Sequence, residues 1–431
     1  EMSFKGKVNI SADKNELIAK LDNVKILYKD NDFSLLFPEN FIVKSTFQIT
    51  GDSICINNAE INSENISLTL SGRIKNYFGK TLPTVDIKAI INRSKIEDFI
   101  NILPPFKVEE FDMYKLKKYK FYGDIIGNLS INGRLPEPNI TGNIYINNGI
   151  LIKPIPETNK GATIKIKFTG RHASYNVFVP AGRGQSVQVN GTQELYNIKY
   201  GDLTVKSTPT VNLHSAQNVV NPLHEILNFI IGPVPILDIY GTGNIDLTVK
   251  GNRTNPHAWG TMNFNDTRVN FIEIPDLKLE NAQAVLNFND SGAIFKTLKG
   301  QVNGNNFDIS GKCDLSGSFD FNVNSENQPT SGLYNAILTS TMINDIKKMV
   351  PKVDKLADLT DLKLKIYGNV KDIKDLEFNK NAFAKGEIYL KNNELLFQGI
   401  NISDLNANIK VDGTSLNSTI NAFIDKAPLH I

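Results

Sequence analysis

The side chains that most often hold metals or move protons are scattered through this sequence. Its five histidines lie far apart, and none has the i, i+4 spacing or the H-E-x-x-H context that lets imidazoles share a zinc ion. They are His172, His214, His224, His257 and His430. No metal site is predicted, and we interpret His224 as a solvated residue on a predicted helix.

Nucleophilic and acid–base chemistry is equally unsupported. The sequence has no G-x-S-x-G elbow, and the acidic residues Glu109 and Glu110 have no histidine nearby with which to share a proton. Residues 241–243 begin like a dinucleotide loop, but the third glycine and the strand-to-helix setting are missing. We therefore expect a protein that is not an enzyme and that uses no cofactor.

Two motifs have the chemistry to meet an anionic group, and each has a structural alternative. Residues 181–184 place an arginine between two glycines, which suits a phosphate, although a turn explains the same pattern. Residues 115–121 mix lysines with aromatic side chains, which suits lipid headgroups at the mouth of a groove. The alternative for that run is a solvated strand edge whose lysines prevent aggregation.

Composition restricts the partners. The 47 basic and 45 acidic residues leave a net charge of +2, so there is no broad positive field and nucleic acid is not expected. No stretch approaches the roughly 20 apolar residues of a membrane-spanning helix. Cys55 and Cys313 are too few for a disulfide framework or a thiolate zinc site. Because both ends lie in strand-like sequence, we expect an excerpt of a longer protein.

Strict alternation of apolar and polar residues is the dominant pattern. It is clear in residues 66–70, 164–168, 319–323 and 362–366. Period two gives each strand one dry side and one wet side. Asn, Asp and Gly predict turns at residues 148–149, 190–191, 289–292 and 412–413. The sequence therefore predicts a meander of antiparallel hairpins.

Three short amphipathic helices are predicted to interrupt the strands. The first begins at a capping box in residues 94–97 and ends before Pro104. The second runs from a cap at Asn221 to Gly232, and the third covers residues 341–350. Each places apolar residues at i, i+3 and i+4 spacing, so each is able to cover part of an apolar sheet.

The helix and strand pattern repeats. Residues 123–133 and 241–251 align at an offset of 118 residues (251 − 133), and a looser third copy aligns residues 386–393 with the segment that starts at Gly142. A fixed period indicates a repeat architecture. We predict four units, the first and last of them partial: 1–92, 93–213, 214–339 and 340–431.

A sheet that is apolar on one side must cover that side with a second sheet, by closure, or with a ligand. At roughly 12 residues per strand and turn there are on the order of thirty strands, and open sheets rarely exceed about ten without curling. One solution is an elongated antiparallel sheet curled into a groove, a half-pipe that holds acyl chains. The other is a row of β-sandwiches whose dry faces cover each other, and periodicity does not decide between them. The predicted groove residues are Leu129, Ile131, Ile144, Ile146, Leu247, Val249, Met262, Phe264, Ile388 and Leu390.

The order of a helix, then G-x-x-x-G-N-L-x-I-x-G at residues 123–133, a proline, and G-N-I-x-I-N-N-G at residues 142–149 resembles the AsmA-like and TamB group of bacterial envelope proteins. The similarity covers roughly residues 60–425 and has no catalytic signature. It implies a periplasmic β-groove in a protein held at the inner membrane by a segment outside this chain.

The resemblance also implies a function. The cargo would be phospholipid conducted towards the outer membrane, or the role would be support for outer-membrane assembly, with an outer-membrane assembly protein as partner. Without the resemblance, the residues leave open a structural or adhesive repeat protein of stacked β-sandwiches that carries no lipid.

Overall fold

The computed structural model describes most of the chain, in separate ranges. They are residues 2–12, 16–28, 33–76, 81–102, 107–108, 111–112, 121–151, 161–197, 200–214, 236–252, 255–271, 278–290, 292–302, 304–314, 316–331, 355–356, 359–370, 380–413, 415–424 and 426–431. The chain divides into two compact units, Glu1–Thr204 (unit 1) and Val205–Ile431 (unit 2).

Unit 1 is built almost entirely of strands, as its alternating apolar residues require. Its strands are β1 (Met2–Ala12), β2 (Glu16–Tyr28), β3 (Phe33–Leu36), β4 (Phe41–Thr50), β5 (Ser53–Asn62), β6 (Ser67–Lys75), β7 (Thr84–Lys95), β8 (Lys107–Val108), β9 (Phe111–Asp112), β10 (Phe121–Arg134), β11 (Asn139–Leu151), β12 (Ala162–Gly170), β13 (His172–Pro180) and β14 (Ser186–Glu194). The next strand, β15 (Gly201–Ser207), contains the boundary between the units.

Unit 2 has the same construction, and its longest strands are β17, β18 and β25. Its strands are β16 (Val211–Asn212), β17 (Ile236–Asn252), β18 (Asn255–Phe271), β19 (Lys278–Asp290), β20 (Gly292–Val302), β21 (Asn305–Asp314), β22 (Ser318–Pro329), β23 (Lys355–Leu356), β24 (Leu359–Asn369), β25 (Ala382–Phe397), β26 (Ile400–Asp412), β27 (Ser415–Ile424) and β28 (Ala427–His430).

The strands pair antiparallel, as short connections between neighbours require. In unit 1 the order is β1, β2, β4, β5, β6, β7, β10, β11, β12, β13 and β14, with β3 beside the other half of β2. In unit 2 the order is β16 to β22, then β24 to β28, with β23 beside β25. No described pairing joins the two ends of either order. The predicted mainly β fold, an open antiparallel meander, is confirmed, while the four repeat units stay a prediction.

Strand register collects the apolar residues on one face. Ile144 lies opposite Gly127 on one side and Ile166 on the other, and Ile166 lies opposite Tyr175. Side chains of directly opposed residues point to the same face, so the apolar set continues from strand to strand. We call this the dry face. The opposite face, which carries residues such as Lys165, is the wet face.

The first predicted helix is confirmed as α1 (Ile96–Ile102). Its predicted capping box forms different bonds, however. The Ser94 hydroxyl accepts a hydrogen bond from the Ser67 N–H at 3.0 Å, and the Glu97 carboxylate accepts one from the Gly123 N–H at 3.2 Å. Both side chains therefore attach the start of the helix to strands β6 and β10. The second and third predicted helices lie outside the described residues.

Two of the four predicted turns are confirmed, between β19 and β20 and after β26. The other two are wrong, because residues 148–149 lie inside β11 and residues 190–191 inside β14. Asn148 has a φ of 53° at a shift of register, so the Asn-Gly pair forms a β-bulge. The same feature recurs across the sheet as a positive-φ Asn or Asp followed by a buried residue. The pairs are Asn23 and Val24, Asn148 and Gly149, Asp266 and Thr267, Asn281 and Ala282, Asn327 and Gln328, Asn392 and Asn393, and Asp404 and Leu405.

Candidate functional site

The structure brings the predicted groove residues of unit 1 together. Leu129 and Ile131 on β10 share the dry face with Ile144 and Ile146 on β11. The register places Leu129 opposite Gly142, and it places Ile146 opposite Ile125, two and three alternate positions from Leu129 and Ile131 on the same side of β10. The four side chains therefore form one continuous apolar surface across a strand pair.

The predicted positions of unit 2 also share a single face. The same side of the sheet stays apolar from β17 to β25. Each strand in this series pairs with the next one in the strand order given above. The positions are Leu247, Val249, Met262, Phe264, Ile388 and Leu390. Sequence repeats alone do not place β25 residues on the face of β17, whereas the register does.

Burial divides these positions into two groups. Leu247 is 0% exposed, Ile146 5% and Val249 8%, so these three belong to the packed interior. The other predicted positions are half-buried and keep part of their apolar surface accessible.

Helix α1 covers one part of the dry face of unit 1. Ile96 and Ile100 of the helix are buried against Ile91 on β7, Ile125 on β10 and Ile146 on β11. The next dry-face residues along β10, at positions 129 and 131, are outside this cluster and half-buried. In the ranges that the structure describes, the dry face of unit 1 thus has a part covered by α1 and a part beside it that no described element is shown to cover.

Repeated glycines of the dry face are required by backbone geometry. Gly142, Gly260 and Gly386, which occupy matching places in the sequence repeats, have φ values of 128°, 134° and 147°. An added Cβ would lie 1.9–2.1 Å from a carbonyl oxygen of the neighbouring strand. Gly72 and Gly311 show the same geometry. These positions accept only glycine because both the conformation and the space exclude a side chain.

Aromatic residues that line the dry face were missed by the sequence reasoning. Tyr175 lies over Gly191, and Phe321 lies over Gly311 and packs beside Phe319 with ring centroids 6.2 Å apart. A ring that lies over a glycine covers the backbone that the missing side chain would leave exposed. The alternation at 164–168 and 319–323 identified the strands, but only the pairing of strands shows which rings meet which glycines.

The wet face is held by polar contacts between strands. Lys299 pairs with Asp308, and Lys365 pairs with Asp320, each at 2.9 Å. Exposed pairs of this kind contribute about 0–1 kcal/mol each, so their main effect is to keep this face hydrated and to disfavour other registers.

The two cysteines lie on opposite kinds of surface. Cys313 is on the dry face of unit 2, opposite Phe319, and burial raises the pKa of its thiol to about 11. Cys55 is on the wet face of unit 1, opposite Arg73. The chain therefore carries one native thiol on each type of face.

The remaining polar candidates are explained by local structure. His257 pairs through Nδ1 with Asp290 at 2.6 Å and stacks on Trp259, while His214 stacks on Tyr240 with centroids 4.4 Å apart. Among the residues that the structure describes, no three His, Cys, Asp or Glu side chains come together to hold a metal ion.

Of the two motifs that suit an anionic group, the structure describes only one. Residues 181–184 form the turn between β13 and β14, where the Ala181 N–H donates to the Gln185 carbonyl at 3.0 Å. Lys115 and the rest of its run up to residue 120, like Glu109, Glu110 and His224, lie outside the described residues.

The comparisons with known proteins identify one family. The model of the TamB C-terminal domain matches residues 57–296, more than half of the chain. No curated protein and no solved structure matches the chain. In the ranges that the structure describes, no helix is both long enough and apolar enough to span a membrane.

Proposed function

Because this chain belongs to the TamB family of envelope-associated proteins, which act in outer-membrane assembly or lipid transport, we propose that its dry face conducts phospholipids. The acyl chains lie against the dry face of each unit, and the headgroups stay in water. The proposed location is the periplasm, with an inner-membrane anchor in a segment outside this chain. An outer-membrane assembly protein is the proposed protein partner.

One observation carries this proposal: the half-buried apolar residues lie on one side of every pairing from β10 to β13 and from β17 to β25. The sandwich alternative needs a second sheet over that side. The strands of the described ranges instead contact their hydrogen-bonded neighbours, and α1 is the element that packs on the dry face of unit 1. This arrangement favours a lipid as the missing cover.

Energetics suit movement along such a surface. Each buried methylene gains about 0.8 kcal/mol, so an acyl chain is held firmly by many weak contacts without one strong site. Between Leu129 and Tyr175, on strands β10 to β13, the dry face carries aliphatic residues, aromatic residues and glycines without a charged interruption. Similar contacts before and after each step keep the barrier to sliding low, and no bond is made or broken.

The decisive test places a charge on the dry face. We expect Leu129→Asp and Met262→Asp to reduce bound phospholipid at least about tenfold, because a carboxylate resists transfer into an acyl environment. The matched controls are Ser130→Asp and Thr261→Asp, which change the adjacent wet-face residues of the same strands. Bound lipid is counted by native mass spectrometry, and transfer is followed between donor and acceptor vesicles.

The native thiols provide an independent readout. Lipid that occupies the dry face should slow the alkylation of Cys313 and leave that of Cys55 unchanged. The proposal fails if dry-face and wet-face Asp variants, equally folded by circular dichroism, carry and transfer the same amount of phospholipid.

A further inference from the structure

Helix α1 lies where an acyl chain would lie. Its two buried isoleucines, Ile96 and Ile100, together with the partly buried Phe99, contact the dry face at Ile125 and Ile146. Leu68, Ile144 and Ile164 pack around the same cluster. The helix is therefore the resident apolar cover of a surface whose remaining part, at residues 129 and 131, has none among the described elements.

The helix depends on this docking for its existence. It has seven residues, from Ile96 to Ile102. Isolated helices shorter than about 12 residues are marginal in water because nucleation is unfavourable. Glu97 and Asp98 favour its first turn, but the last turn has no basic residue to balance the dipole. Without the dry face beneath it, α1 is not expected to remain helical.

Four polar side chains attach the start of α1 to the strands. Arg93 and Lys95, which precede the helix, both pair with Asp124 of β10, at 2.9 and 2.7 Å. Ser94 bonds to Ser67, and Glu97 to the backbone of residue 123. These polar contacts hold the beginning of the segment to the strands and do not depend on whether the isoleucines further along remain docked.

The apolar contact of α1 is small enough to be exchanged. The side chains of Ile96 and Ile100 carry about eight apolar carbon atoms in all, and a similar number of acyl methylenes would gain a comparable free energy of burial. An acyl chain on the same isoleucine surface would therefore compete with α1 on comparable terms. A ligand that binds only the surface without the helix shifts the population towards the undocked helix.

Resting on the proposed lipid binding, we infer that α1 is a displaceable lid: α1 and an acyl chain occupy the surface formed by Ile91, Ile125 and Ile146 in turn. In the absence of lipid the helix protects this surface from water. When lipid arrives, the isoleucines of α1 leave while the contacts of Arg93 and Lys95 with Asp124 keep the segment attached. The width of dry face available to lipid in unit 1 increases accordingly.

Hydrogen exchange tests the lid directly. The probe is a water-soluble short-chain diacyl phosphatidylcholine, added to the intact chain below its micelle concentration. At saturation we expect the amides of residues 97–102 to exchange at least about tenfold faster, while those of residues 87–91 in β7 keep their protection. Native mass spectrometry of the same samples counts the bound lipid.

The outcomes separate this inference from the proposed function. Bound lipid with unchanged exchange in α1 overturns the lid and leaves lipid binding intact. Complete absence of bound lipid overturns the proposed function, and the lid with it. Faster exchange throughout β7 as well would indicate general unfolding and also contradict the lid.

A pair of variants distinguishes a lid from a structural helix. Ile100→Ala weakens the docking of α1, which competes with lipid, and should lower the lipid concentration for half-saturation several-fold. Leu129→Ala weakens only the part of the dry face outside the α1 cluster and should raise it. If Ile100→Ala instead weakens lipid binding as Leu129→Ala does, α1 is part of the lipid site and the inference is wrong.

Discussion

Ile125 and Ile126 are neighbours in β10, yet they belong to surfaces with opposite properties. Ile125 is 4% exposed and packs beneath α1, opposite Ile146, whereas Ile126 is 39% exposed on the wet face, opposite Tyr145. The residue type is identical, so the difference comes from what lies across the sheet and above it. Residue composition therefore does not define the dry face, because strand pairing and cover decide which isoleucine is interior.

The largest expected effect concerns the backbone of the dry face. Gly142→Ala places a side chain at a φ of 128° and a Cβ 2.1 Å from the Asn128 carbonyl oxygen. Strain and overpacking of about 1–3 kcal/mol each predict a loss of about 4 kcal/mol in the free energy of unfolding. Chemical denaturation measures it.

Gly149→Ala is the matched control in the same strand. Its nearest neighbours would be 3.4 Å from the new Cβ, an ordinary contact distance. Equal losses for Gly142→Ala and Gly149→Ala would show that the dry-face glycines have no special backbone role.

The next effect compares the two faces directly. Ile125→Ala leaves a cavity in the cluster beneath α1 and should cost about 3 kcal/mol, while Ile126→Ala should cost less than about 1 kcal/mol. Denaturant midpoints of the two variants, measured beside the wild type, test the contrast. Similar midpoints would remove the distinction between dry and wet faces at β10.

The smallest effect is on the wet face and depends on pH. The pKa of Asp361 is lowered because its carboxylate accepts a hydrogen bond from the Asn327 N–H at 2.8 Å and pairs with Lys391. A carboxyl group with a lowered folded-state pKa contributes stability above its unfolded value, here 3.8, and loses it as the pH falls through the folded value.

Wild-type stability should therefore decrease more steeply below pH 3.8 than that of Asp361→Asn. Thermal melts from pH 6 down to about pH 3 compare the two slopes. Asp320→Asn, which removes an exposed ion pair with Lys365, is the control and should leave the slope nearly unchanged. Parallel slopes for wild type and Asp361→Asn would contradict this role.

Several parts of the fold are readable from the sequence because they depend on local preferences. The alternation at residues 164–168 identifies β12, and the apolar spacing after Ser94 identifies α1. The Asn-Gly pair at residues 148–149 shows where this reasoning fails. Positive φ is the local requirement in both a turn and a bulge, and only the partner strands β10 and β12 determine that the chain continues straight on.

In the candidate site as well, some features follow from the local sequence and others depend on partner strands. Leu247 and Met262 occupy equivalent places in an alternating pattern, but Leu247 is fully buried and Met262 is half-buried. On the dry face, the rings of Tyr175 and Phe321 lie over glycines of neighbouring strands, and no local sequence pattern connects those glycines to the rings.

By itself, the sequence determined that this protein is a repeat-built antiparallel sheet with one apolar side, because period-two alternation and repeated glycines act through the local backbone. Tertiary structure alone decided the register that joins the apolar sides of successive strands and the part of that side that α1 covers. These depend on contacts between residues distant in sequence, whose free energy is not encoded at any single position.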